Sequence, residues 1–123
     1  MVDYASTAVT QFDAGHSVAG YLNCSRRGHG YTWTVSATVE GPLERDDDTG
    51  VWATAFSDGL TDDLERIARE LDGRDLNDMA PGADSTPEGL AAWFLERLAD
   101  VDFVEVEMGW RRVRGTARRN RKR

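Results

Sequence analysis

Tyr31-Thr-Trp-Thr-Val-Ser-Ala-Thr-Val-Glu40 alternates apolar and polar side chains without a break. In an extended chain Tyr31, Trp33, Val35, Ala37 and Val39 share one side, and Thr32, Thr34, Ser36, Thr38 and Glu40 the other. This predicts a strand of an antiparallel sheet with one face covered. Upstream, Ala8 to Val18 predicts a first strand with Phe12, Ala14 and His16 on one face, joined to the second through Gly20 to Gly28. Downstream, Glu44 to Gly50 reads as an exposed turn. Leu60, Leu64, Ile67, Ala68 and Leu71 then recur at helical spacing and form one stripe. A second helix opens at Thr86-Pro87-Glu88, with an N-cap, a first-turn proline and an acid at the positive helix end. Leu90, Ala91, Phe94, Leu95 and Leu98 supply its buried face. Val101 to Glu107 and Trp110 to Thr116 complete the pattern as two closing strands. The fold class is α+β, a four-stranded antiparallel sheet in ββααββ order with two helices on one face.

The 123 residues, 40% of them hydrophobic, suit one compact domain. It is expected over residues 1–116, with a basic tail at 117–123. One cysteine, Cys24, rules out an intramolecular disulfide framework. No apolar run approaches the roughly 20 residues of a membrane span, and the N-terminus does not read as a signal peptide. The expectation is a soluble, cytoplasmic domain without a membrane partner. Charge is sharply divided. Residues 1–110 hold seven basic and 22 acidic side chains, a net −15, whereas the last thirteen carry +8. An anionic body repels nucleic acid at long range, which argues against a general nucleic-acid-binding role for it. The arginine-rich tail reads as solvated or intersubunit, with nucleic-acid contact a minor alternative.

Five segments, in order, resemble the 6-pyruvoyl-tetrahydropterin synthase and 6-carboxy-tetrahydropterin synthase family. Phe12-Asp-Ala-Gly-His16 is similar to F-x-A-x-H, and Cys24-Ser-Arg-Arg-Gly-His29-Gly-Tyr31 to C-x-x-x-H-G-H-x-Y. Leu71-Asp-Gly-Arg-Asp-Leu-Asn77 resembles L-D-H-x-x-L-N, and Thr86-Pro-Glu-Gly-Leu-Ala-Ala-Trp93 resembles T-x-E-N-L-A-x-W. Val104-Glu-Val-Glu107 resembles the strand that ends in the family's pterin-gripping glutamate. The resemblance implies the tunnelling fold and a homo-oligomer, usually a hexamer, in which sheets close into a barrel between subunits. It also implies a lyase acting on dihydroneopterin triphosphate, in 7-deazaguanine (queuosine- or archaeosine-type) or pterin biosynthesis. A pterin or purine is the small-molecule ligand.

In that family three histidines hold Zn²⁺ with a position left open for substrate oxygens. A cysteine assisted by an Asp–His pair moves protons, and a glutamate accepts the ring N–H groups. Carried over, His16 and His29 match two zinc ligands, and Arg27 stands at the third. A guanidinium cannot ligate zinc, so the site is incomplete unless Cys24 or a carboxylate contributes. Arg27 could instead pair with substrate phosphate or an oxyanion. Cys24 and Asp72 match the catalytic cysteine and aspartate, but Gly73 replaces the relay histidine and Ala55 a polar residue. Glu107 is the candidate ring anchor, with Glu105 its rival, and Thr86 is a further substrate-binding candidate. Loss of a ligand and of the relay histidine keeps an alternative open, a catalytically inactive tunnelling-fold protein with a structural or ligand-binding role.

Overall fold

The computed structural model describes residues 2–15, 30–54, 57–79, 86–109 and 112–120. Two long strands, β1 (Tyr4–Gly15) and β2 (Gly30–Gly41), pair antiparallel from Tyr4 opposite Gly41 to Gly15 opposite Gly30. The second strand lies where its alternation predicted. The first starts four residues before Ala8, because the full length of β2 gives Tyr4 to Thr7 partners. Residues 16–18 and the Gly20–Gly28 connection lie outside the described residues.

The expected turn at Glu44–Gly50 holds a small additional hairpin. Glu44–Arg45 (β3) pairs with Trp52–Ala53 (β4), and Asp46 donates its N–H to the Val51 carbonyl at 2.8 Å. Among the described residues three helices follow rather than two: α1 (Ser57–Leu71), the single turn α2 (Leu76–Met79) and α3 (Pro87–Arg97). The short helix escaped the sequence reading because one turn is too brief to show a stripe. Its Leu76 is nevertheless fully buried. Thr86 caps α3 as expected, accepting a hydrogen bond from Gly89 N at 3.1 Å.

Strands β5 (Phe103–Met108) and β6 (Val113–Arg118) close a sheet of order β1-β2-β5-β6, every neighbour antiparallel. Helix α1 packs on β1, and α3 on β5 and β6. The core lies between sheet and helices. Trp33, Val35 and Ala37 from β2 and Val104, Val106 and Met108 from β5 meet Leu64, Leu71, Leu90 and Phe94 from the helices. The Trp33 indole donates to the Ala14 carbonyl at 3.1 Å, so its one polar atom is satisfied inside the core. Among the described residues no helix is long and apolar enough to cross a membrane.

The end of the domain differs from the expected boundary at 116. Strand β6 runs on through Arg118, which pairs with Phe103 and lays its guanidinium over that ring at 4.3 Å. Arg119 then donates to the carbonyls of Val101, Leu95 and Leu98 at 2.9, 3.0 and 3.1 Å. Residues 117–119 therefore belong to the folded body.

Candidate functional site

Helices cover one face of the sheet, and the other is built from the alternate residues. In β1 and β2 this uncovered face carries hydrogen-bonded cross-strand pairs. Thr7 meets Thr38 at 2.8 Å, Gln11 donates to Thr34 at 3.0 Å, and Thr32 donates to Asp13 at 2.7 Å. The register extends these pairs into β5 and β6. Thr34 lies opposite Glu107, and Glu107 opposite Arg114. Gln11, Thr34, Glu107 and Arg114 thus form one polar row across all four strands. The next row on the same face brings Ser36, Glu105 and Thr116 together.

Glu107 is partly buried on this face. Its side chain is only 21% exposed, and Oε2 is fully withdrawn from water with no hydrogen-bond partner among the described residues. Two guanidinium groups stand beside that oxygen, Arg114 Nε at 3.5 Å and Arg112 Nη2 at 3.9 Å. These are ion-pair distances without hydrogen-bond alignment. Arg112 is set in place by a left-handed backbone, φ 55°, and by its N–H bond to the Met108 carbonyl at 2.8 Å. A carboxylate so held can accept two adjacent N–H donors. Glu105 and Glu107 face the same side and differ only in row, so a one-residue slip would not exchange them.

Asp72 lies elsewhere, at the outer edge of β1. Its Oδ1 accepts the Asp13 N–H at 2.9 Å, while Gly73 N donates to the Asp13 carbonyl at 2.7 Å and Gly15 N to the Arg74 carbonyl at 3.0 Å. The segment after α1 therefore docks on β1 through a single parallel bridge of Asp75 to Gly15, and Asp72 tethers it. Strand spacing places β1 about 10 Å across the sheet from β5. Gly73, at the position matched to the relay histidine, has φ +76° and ends α1. Thr86 belongs to the helix layer, its oxygen occupied by the cap. Thus Glu105 and Glu107 are brought together, and Asp72 and Thr86 are each placed apart from them. Cys24, Arg27, His16, His29 and Ala55 lie outside the described residues. Among the described residues, no three His, Cys, Asp or Glu side chains cluster so as to hold a metal.

The sequence reading missed Arg112 and Arg114 as neighbours of Glu107. Their positions depend on the length of the β5–β6 turn, which alternation alone does not set.

Residues 6–116 match the 6-pyruvoyl tetrahydropterin synthase family. This chain belongs to that family. The fold is also that of Caenorhabditis elegans 6-pyruvoyl tetrahydropterin synthase, with a TM-score of 0.76 at 17% identity, covering 98% of each chain. An uncharacterised protein of Wolinella succinogenes is similar to it as well, with a TM-score of 0.73 at 16% identity over 98% of this chain and 100% of the other. No curated protein matches the sequence. Identities this low speak for the shared fold. The activity of this 6-pyruvoyl tetrahydropterin synthase family member has to be argued from its own residues.

Proposed function

We propose that the chain is a divergent enzyme of the 6-carboxy-tetrahydropterin synthase type, acting on dihydroneopterin triphosphate in 7-deazaguanine or pterin biosynthesis. The observation that carries this reading is Glu107, a half-buried carboxylate with an oxygen that no protein donor satisfies among the described residues. It stands on the strand where the family resemblance puts the ring anchor. In this role Glu107 accepts the 2-amino and N3–H groups of the ring, with the Arg114 and Arg112 guanidinium groups beside its Oε2. Cys24 is the proton-moving residue of the reading and Arg27 a substrate contact, whereas the Thr86 oxygen is taken up by the helix cap. Asp72 would act from the β1 edge, with one oxygen already committed to Asp13.

Zinc belongs to this reading only in part. His16 and His29 supply two imidazoles, and a guanidinium at position 27 supplies no lone pair. The three-histidine set is one ligand short, so no step is assigned to the metal.

A second reading is binding without turnover, and Gly73 favours it. It offers no imidazole to relay a proton, and its left-handed backbone disfavours any residue with a side chain. The deciding experiment incubates the full chain with zinc and dihydroneopterin triphosphate, then identifies products by mass spectrometry. Product that disappears in Glu107→Gln supports the enzyme. Pterin binding that weakens about tenfold or more in Glu107→Gln, without turnover, supports the second reading. Absence of both binding and turnover rejects the two together.

A further inference from the structure

A carboxylate alone reads only part of a pterin or guanine edge. The 2-amino-4-oxo pyrimidine presents two donors, the amino group and N3–H, and then an acceptor, the 4-oxo oxygen. Glu107 complements the two donors. The oxygen next to them needs a donor beside the carboxylate, in the same plane as the ring.

Arg114 stands beside that carboxylate. It is directly opposite Glu107 on the neighbouring strand and therefore on the same face. Its Nε lies 3.5 Å from Oε2 yet makes no hydrogen bond to it, so the fork of N–H groups is not consumed by the ion pair. The side chain is 57% exposed, turned to the uncovered face where a ligand would lie. An ion pair this exposed adds little to stability, so holding the fold together does not account for the placement. We propose that Arg114 is a specificity-determining residue that donates to the 4-oxo oxygen of the ring held by Glu107. The inference rests on the reading of Glu107 as the ring anchor and adds the residue that selects an oxygen over an amino group at position 4. A guanidinium suits this task because it is a donor only and planar. It welcomes an oxygen and leaves a 4-amino group facing a second donor. Arg112, 3.9 Å from the same carboxylate and 77% exposed, is the more loosely held neighbour.

The test compares two probes by fluorescence titration of the full chain, 6-hydroxymethylpterin and 2,4-diamino-6-hydroxymethylpteridine. They differ at position 4 and, in consequence, at N3, which carries a hydrogen in the oxo ring and a lone pair in the neutral diamino ring, so the test reads how the affinity ratio changes between variants. Arg114→Met keeps the stem and removes the donors. The expected result is that it lowers the oxo-over-amino affinity ratio by about tenfold or more, mainly by weakening the oxo ring. Arg114→Lys retains the charge without the fork and should give an intermediate ratio. It also keeps the test alive if the Met variant fails to fold, as judged by circular dichroism. An unchanged ratio in both variants overturns the inference, and leaves the anchor standing if Glu107→Gln weakens both probes. A ratio that changes in Arg112→Met but not in Arg114→Met overturns the assignment to Arg114. Wild-type protein that binds neither probe, or a Glu107→Gln variant that binds both unchanged, removes the anchor and this inference with it.

Discussion

Gly115 shows how a single residue can set the distance between two layers. It is buried in β6, and a Cβ built on it would run into the backbone of Pro87 and Glu88 at the start of α3. The obstacle is backbone, so no rotamer change relieves it. Gly115→Ala must therefore push α3 away from the sheet, and overpacking of this kind costs about 1–3 kcal/mol. Chemical denaturation should show that loss. A variant as stable as wild type would mean that helix and strand do not approach as described. Little in the sequence marks this glycine, since Val113-Arg-Gly-Thr-Ala has no turn signal and no obvious partner. Glu107 was singled out through the family resemblance of Val104-Glu-Val-Glu107, and alternation fixed its face but not its neighbours. Arg114 was not, because its meaning comes from lying opposite Glu107, and that pairing is a property of the turn between them.

Among the elements, α3 and the chain after β6 depend on each other. Helix α3 ends at Arg97, and its last carbonyls need donors. Arg119 supplies them, reaching the Leu95 and Leu98 carbonyls with one nitrogen and Val101 with another. Its backbone N–H bonds to the Asp102 carbonyl at 2.8 Å, while the Asp102 carboxylate accepts from Glu40 N. The helix end, the entry to β5 and the exits of β2 and β6 are thereby knotted at one corner. Arg119→Ala should cost about 1–3 kcal/mol, from charge-assisted hydrogen bonds to a helix end. That corresponds to a fall in Tm of several degrees for a domain of this size. An unchanged Tm in thermal denaturation would show that the clasp contributes nothing. The elements themselves were largely readable. Strand β2 and the stripe of α1 follow from periodicity, and the start of α3 from its cap. The terminal arginines were not, because a run of like charges does not reveal which member finds carbonyls.

For the whole molecule the open question is what covers the edges of the sheet. At the C-terminal end of β1 the segment from Asp72 to Asp75 already does so, through the Asp13 and Gly15 backbone bonds. Those bonds also fix the direction of the strand's polar groups. Backbone groups alternate in an antiparallel strand, so Gln11, Val9, Thr7 and Ala5 point theirs outward as Asp13 does. Among the described residues nothing pairs with that stretch, and Val9 is 54% exposed. Unpaired strand edges invite another strand, and members of this family are typically oligomeric. A cyclic oligomer joined by intersubunit sheet pairing at β1 is the expected assembly. Val9→Pro tests it selectively. The substitution removes an outward N–H and leaves the ladder to β2 intact, and proline is tolerated on an edge strand. Light scattering should show wild-type oligomers and a smaller species for Val9→Pro, with the circular dichroism spectrum preserved. Wild-type protein that is monomeric at micromolar concentration, or Val9→Pro assembling as wild type does, would rule out β1 as the joining edge.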